Sequence, residues 1–156
     1  MEITEGSLVD ESAAEITKLK MLRTAGINIA IDDFGTGYAS LGRLAHLPID
    51  TLKIDRSFIR PMSTDARGKK LVSIIISIAR AFKLTVVAEG VESQDQLDAL
   101  WQLDCDQSQG YLHSKPVTRD QFADLLANGR DTSSCRRSRR RTQQRSRRAR
   151  LPTAPQ

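Results

Sequence analysis

Cysteine is scarce: the 156 residues hold only Cys105 and Cys135, far apart and in no CxxC spacing. That excludes a disulfide framework and a thiolate zinc site, and it fits a reducing cytoplasm. Histidine is equally rare. His46 and His113 stand alone, without partners at ligand spacing, so an imidazole zinc centre is excluded too. Long apolar runs are missing. The longest, Leu71 to Ala81, is broken by Ser73, Ser77 and Arg80 and falls short of the roughly 20 residues a membrane-spanning helix needs. No secretory leader is expected before Glu2. Residues 130–156 contain no aromatic side chain, which removes the stacking platform on which single-stranded nucleic acid is held.

What is present suffices for one soluble domain with a core, since 39% of the residues are hydrophobic and 28% charged. The formal net charge of +5 splits unevenly, into +9 on residues 130–150, where ten arginines face the single Asp131, and −4 on residues 1–129. An acidic domain, 1–129, is therefore followed by an arginine-rich tail, 130–156. With almost nothing apolar to bury, the tail is expected to be disordered. Its charge alone would permit nucleic-acid binding by counterion release, but without aromatic residues such binding is not expected, and the tail reads as an unselected extension.

Helical periodicity alternates with short β-branched runs from Ser12 to Asn128. Ser12 and Glu15 form a capping box ahead of Ile16, Leu19 and Leu22, and Gly26 supplies the stop. A strand is expected at Ile27 to Ile31. Ser40 to Leu47 reads as a short helix closed by Pro48, and Thr51 to Ile54 as the next strand. Lys69 to Phe82 is a longer helix, expected to bury Leu71, Ile75 and Ile78, and it leads into a strand from Leu84 to Ala88. Ser93 with Gln96, and Thr118 with Gln121, begin helices at Gln94 to Leu103 and Arg119 to Asn128, around a short strand at Asp106 to Gln109. Leu97, Leu100, Trp101 and Leu103 supply a core face. Strands joined by helical crossovers run parallel, as in a (β/α) barrel or an open doubly wound sheet. Either architecture puts its ligand site at the C-terminal strand ends.

Each strand end carries a charged or amide group: Glu2 and Glu5 flank a strand remnant at Ile3, Asp32 and Asp33 follow Ile31, and Lys53 precedes Ile54 and Asp55. Glu89 and Glu92 follow Ala88, and Gln109 ends the last strand. Any one of them, taken singly, reads as a helix cap or a solvated loop residue. Their recurrence carries the weight. Converging carboxylates with only Lys53 to balance them would repel one another unless a divalent ion neutralised them. Oxygen donors select hard cations such as Mg²⁺ or Mn²⁺.

Asp32-Asp33-Phe34-Gly35-Thr36-Gly37 is the most informative string, because adjacent aspartates can serve two metal ions while the glycines let the backbone bend close to a ligand. Together with Glu2-Ile-Thr-Glu5, Leu52-Lys53-Ile54-Asp55, Val87-Ala88-Glu89-Gly90-Val91-Glu92 and Gln109-Gly110-Tyr111-Leu112, in this order and spacing, it resembles the EAL-domain family of cyclic di-GMP phosphodiesterases. The likeness covers residues 1 to about 128.

The resemblance implies a TIM-like barrel that hydrolyses cyclic di-GMP to the linear dinucleotide with Mg²⁺ or Mn²⁺, two ions in the complete domain. It implies Glu2, Asp32, Asp33 and Glu89 as metal ligands, with Asp32 bridging and Glu89 also at the water site. Lys53 would hold the attacking water and offset phosphate charge, and Gln109 would orient by hydrogen bonding. Glu5 would steady the loop of Phe34, Gly35, Thr36 and Gly37 beside the substrate, with Phe34 and Tyr38 expected to pack beneath it. His113 stands where the family commonly has phenylalanine.

A whole barrel of this class has roughly 250 residues and eight strands, whereas four strands and the stub at Ile3 are counted here. The fold expected is thus α/β, the C-terminal half of a TIM-like barrel, with about four to five parallel strands, helices and a basic tail. The Glu-Ala-Leu signature, its neighbouring arginine and an asparagine ligand fall outside the chain, so turnover by this chain alone is expected to be weak or absent. Exposed sheet edges would allow a homodimer. The alternative is a signalling module that binds cyclic di-GMP without cleaving it.

Overall fold

A computed structural model of the chain describes residues 1–8, 13–37 and 41–127. Five strands, β1 (Glu2–Thr4), β2 (Ala30–Phe34), β3 (Thr51–Ile54), β4 (Thr85–Ala88) and β5 (Gln107–Ser108), form one sheet in the order β1-β2-β3-β4-β5. Every neighbouring pair is parallel. Helices α1 (Ala13–Thr24), α2 (Leu41–Leu44), α3 (Arg56–Ile59), α4 (Ala66–Ala81) and α5 (Gln94–Gln102) connect them, with 3-10 turns at Glu5–Leu8 and Arg60–Ser63. This is the α/β arrangement expected from the alternating periodicities, and the stub expected at Ile3 is β1, three residues long and paired in the sheet.

The core is aliphatic. Ile31, Leu52, Ile54, Val86 and Ala88 from the sheet are buried with Val72, Ile75, Ile76 and Ala79 of α4 and Leu97 and Leu100 of α5. Three consecutive buried residues, Leu52, Lys53 and Ile54, mark β3 as covered on both faces, as a central parallel strand is. Trp101 and Leu103 pack partly buried against this core, as expected.

Several local expectations shift. The strand placed at Ile27 to Ile31 begins at Ala30 and continues through Phe34. The Asp50 carboxylate, accepting the Ile29 amide at 3.0 Å, and the pairing of Ala30 with Glu2 set its start, leaving Ile27 exposed. The helix expected from Ser40 to Leu47 is a single turn, Leu41–Leu44, among the described residues; Ser40 and Tyr38 lie outside them. The long helix begins earlier, at Ala66, because Asp65 caps it by accepting the Arg67 amide at 2.9 Å. Its buried face is Val72, Ile75, Ile76 and Ala79. Leu71 is 43% exposed, and Ile78 is only partly buried. Lys69, Lys70, Ser73, Ser77 and Arg80 mark a polar side, but the apolar arc opposite is wider than the face that is buried, so periodicity alone did not select that face; docking on the sheet did.

The capping box of Ser93 and Gln96 forms in full, both residues reciprocating across the first turn of α5. The box expected at Ser12 lies outside the described residues. A separate unit begins at Pro116 and holds α6 (Arg119–Ala127), where the Thr118 amide donates to Gln121 Oε1 at 3.0 Å and the Gln121 amide to Thr118 Oγ1 at 3.4 Å. Asn128 and the arginine-rich segment also lie outside the described residues. Among the described residues, no helix is long and apolar enough to cross a membrane.

Candidate metal centre at the strand ends

β2 carries one extra residue as it reaches the rim. Ile31 pairs with Leu52 but Phe34 with Ile54, so three residue steps on β2 oppose two on β3. The bulge is taken up at Asp33, whose φ of 55° is left-handed, a conformation short polar side chains tolerate. Thr36 holds the turn, its hydroxyl donating to the Asp33 carbonyl at 2.8 Å. A regular strand would send adjacent side chains to opposite faces. Here both aspartates reach one place: single oxygens of Asp32, Asp33 and Glu89 all lie within 4.8 Å of one another.

Beside them β3 delivers Lys53, buried although charged. Its Nζ lies 2.7 Å from Glu89 Oε1, 2.9 Å from Asp32 Oδ1 and 2.9 Å from Glu2 Oε1. Burial by itself favours loss of the proton. Hydrogen bonds to Glu89, Glu2 and Asp32, with the Glu89 charge, outweigh it and hold the ammonium above the ordinary lysine range. Glu2 opens β1 rather than ending it, paired with Ala30. Its long side chain therefore meets the cluster through Lys53.

Glu5 follows β1 and is 3% exposed. Its Oε2 accepts the Gly35 amide at 2.7 Å and the Gly37 amide at 3.2 Å, fastening the loop that follows β2. Gly35 has a φ of +99°, and a Cβ there would stand 2.7 Å from the Phe58 ring. Phe34 turns into the core, as expected of a packing residue, while Gly35, Thr36 and Gly37 are exposed.

A cleft of about 860 Å³ opens beside the cluster, lined by Asp33, Thr36, Glu89 and Gly90 and by Asp55, Arg56, Ser57 and Arg60. Arg56 and Arg60 were not singled out in the sequence. The signal available was their place just after β3, Arg56 in the helix that Asp55 starts by accepting the Ser57 amide at 2.9 Å and Arg60 in the 3-10 turn that follows. Burial would raise the Asp55 pKa, but hydrogen bonds from Ser57 and Arg56 and the Arg56 charge together hold it below the usual carboxylate value.

Gln109 enters through its backbone. Its amide donates to the Ala88 carbonyl at 2.8 Å and its carbonyl accepts the Val91 amide at 3.0 Å, while the side chain is exposed and makes no hydrogen bond among the described residues. Ser108 Oγ and His113 Nε2 are 2.8 Å apart. Glu92 faces Arg60 at 3.8 Å.

Three converging carboxylates without sulfur or imidazole form a donor set for a hard divalent cation. Asp32, Asp33 and Glu89 would hold it; Glu2, also expected as a ligand, lies outside that group and shares the Lys53 ammonium with Asp32 and Glu89.

The family model described as the EAL domain matches residues 1–116. The cyclic di-GMP phosphodiesterase RocR of Pseudomonas aeruginosa is 40% identical over 126 residues, a match spanning 81% of this chain and 32% of RocR. The crystal structure of the EAL domain of Mycobacterium smegmatis DcpA superimposes with a TM-score of 0.78 at 43% identity, over 83% of this chain and 58% of that one. The manganese and cyclic di-GMP complex of Klebsiella pneumoniae BlrP1 superimposes with a TM-score of 0.68 at 33% identity, over 74% of this chain and 29% of that one. The chain thus spans about a third of RocR and little more than half of the DcpA domain. By sequence and by fold, this chain belongs to the EAL domain family.

Proposed function

We propose that residues 1–129 are part of a metal-dependent phosphodiesterase domain that hydrolyses cyclic di-GMP to the linear dinucleotide, and that residues 130–156 are a separate basic tail without a nucleic-acid-binding role. The observation that carries this reading is the meeting of Asp32, Asp33 and Glu89, two of which Lys53 contacts, beside an open polar cleft. It is supported by RocR, a cyclic di-GMP phosphodiesterase, and by BlrP1, which binds manganese and cyclic di-GMP together. Cytoplasmic action and homodimer formation belong to the same reading.

A bound Mg²⁺ or Mn²⁺ supplies Lewis-acid polarisation of a phosphoryl oxygen and a lowered pKa for water. The chain does the positioning. Glu2, Asp32, Asp33 and Glu89 hold the cationic charge at the rim. Lys53 donates to the attacking water and offsets charge on the phosphate. Water adds its oxygen to phosphorus, one P–O ester bond breaks, and the departing ribose oxygen takes up a proton. Gln109 orients the reacting groups by donating a hydrogen bond, and Glu5 keeps the Gly35–Gly37 loop shaped against the dinucleotide. Arg56 and Arg60 give the cleft positive charge for the rest of this dianionic substrate.

The purified chain, incubated with cyclic di-GMP and Mn²⁺ and followed by chromatography, tests this. Slow, metal-dependent formation of the linear dinucleotide, abolished in Asp32→Asn and Glu89→Gln, is expected. Tight binding without metal and without product would instead identify a non-catalytic binder.

A further inference from the structure

Lys53 and a divalent ion draw on the same carboxylates. The ammonium contacts three carboxylates, Glu2 of β1, Asp32 of β2 and Glu89 just after β4, and two of those three, Asp32 and Glu89, also belong to the group whose oxygens converge within 4.8 Å. Lys53 is also buried, so its charge is poorly screened by solvent. A monovalent and a divalent cation sharing carboxylates at such range repel one another, and each ligand oxygen turned toward one is turned from the other.

We propose that Lys53 is an internal counter-ion that preassembles the acidic cluster and sets its metal affinity by competing with the incoming ion. The inference rests on the metal-dependent reading above, and goes beyond a water- or phosphate-holding role for this lysine. It makes Lys53 a positioning residue with two opposed effects. Its charge holds mutually repelling carboxylates together, and the same charge weakens divalent binding. Glu5, by contrast, directs its carboxylate to the Gly35 and Gly37 amides and so acts on the loop.

The experiment compares the chain with its Lys53→Met and Lys53→Arg variants, each stripped with EDTA and then titrated with Mn²⁺ by calorimetry, alongside thermal melts. Lys53→Met should melt lower than the parent in EDTA, gain more stability from Mn²⁺, and bind Mn²⁺ about 10- to 100-fold tighter, the scale on which groups touching metal ligands act. Lys53→Arg, which keeps the charge, should stay near the parent. If Lys53→Met fails to fold in EDTA, recovery on refolding with Mn²⁺ supports the proposal and failure to recover overturns it. Equal or weaker Mn²⁺ binding by a folded Lys53→Met also overturns it, while the parent's own Mn²⁺ binding leaves the phosphodiesterase reading intact. Absence of Mn²⁺ binding in all three proteins defeats both.

Discussion

Glu5 Oε2 lies 2.7 Å from the Gly35 amide, joining the turn after β1 to the loop after β2 across 30 residues of chain. A buried carboxylate accepting two amides makes charge-assisted bonds, which are stronger than neutral ones. Glu5→Ala should therefore cost about 1–3 kcal/mol, because it leaves the Gly35 and Gly37 amides without this acceptor. Amide hydrogen exchange gives the local readout: protection at Gly35 and Gly37 should fall far more than protection in α4. Uniform loss across the chain would mean that Glu5 supports the whole fold and not this loop in particular.

Gly90 follows Glu89 with a φ of +66°, and a Cβ there would stand 2.5 Å from Arg56 Cβ. Gly90→Ala combines an unfavourable backbone conformation with a collision, so a loss of roughly 2–4 kcal/mol is expected in urea unfolding. Alanine tolerated at Gly90 within 0.5 kcal/mol, a margin typical of unconstrained surface sites, would show that Arg56 can move aside.

Asp55 caps α3 and lines the cleft. Its removal in Asp55→Ala should cost about 1 kcal/mol, as helix caps do. The pH dependence follows from its lowered pKa. The folded chain holds Asp55 ionised more readily than the unfolded chain does, so its contribution is complete above the ordinary carboxylate pKa of about 3.9 and fades as pH falls through the lower folded value. Melts of the parent and Asp55→Asn should differ at neutral pH and converge under strong acid. A difference that persists or grows in acid would contradict the assignment.

Helix α4 presents neighbours of opposite fate: Ile76 is 1% exposed and Ile74 is 48% exposed. Ile76→Ala should cost about 2–5 kcal/mol, and Ile74→Ala less than about 0.5 kcal/mol in the folded monomer. Comparable losses at both positions would place α4 in another rotation about its axis.

Much of the site was legible as residue types at strand ends. Asp32, Asp33, Lys53 and Glu89 were all singled out before any geometry, because a β-run followed by an acid recurs along the chain. Their meeting was inferred from parallel topology and not from any local feature. Arg56 and Arg60 were passed over, since Asp55-Arg56-Ser57-Phe58 has no long periodic stretch to announce a helix; one cap and four residues suffice.

The sequence by itself determined the alternation of strands and helices, the reciprocal cap at Ser93 and Gln96, and the parallel sense of the sheet. These depend on periodicity and hydrogen bonds within a few residues, and on the geometry of a crossover. Only the tertiary structure decided the bulge that brings Asp32 and Asp33 to one rim, the face on which α4 docks, and the reach of Lys53 to Glu2, Asp32 and Glu89. Those depend on pairing register and on long side chains meeting partners 21 to 51 residues away, as Lys53 meets Asp32 and Glu2, and no short stretch of sequence encodes that distance.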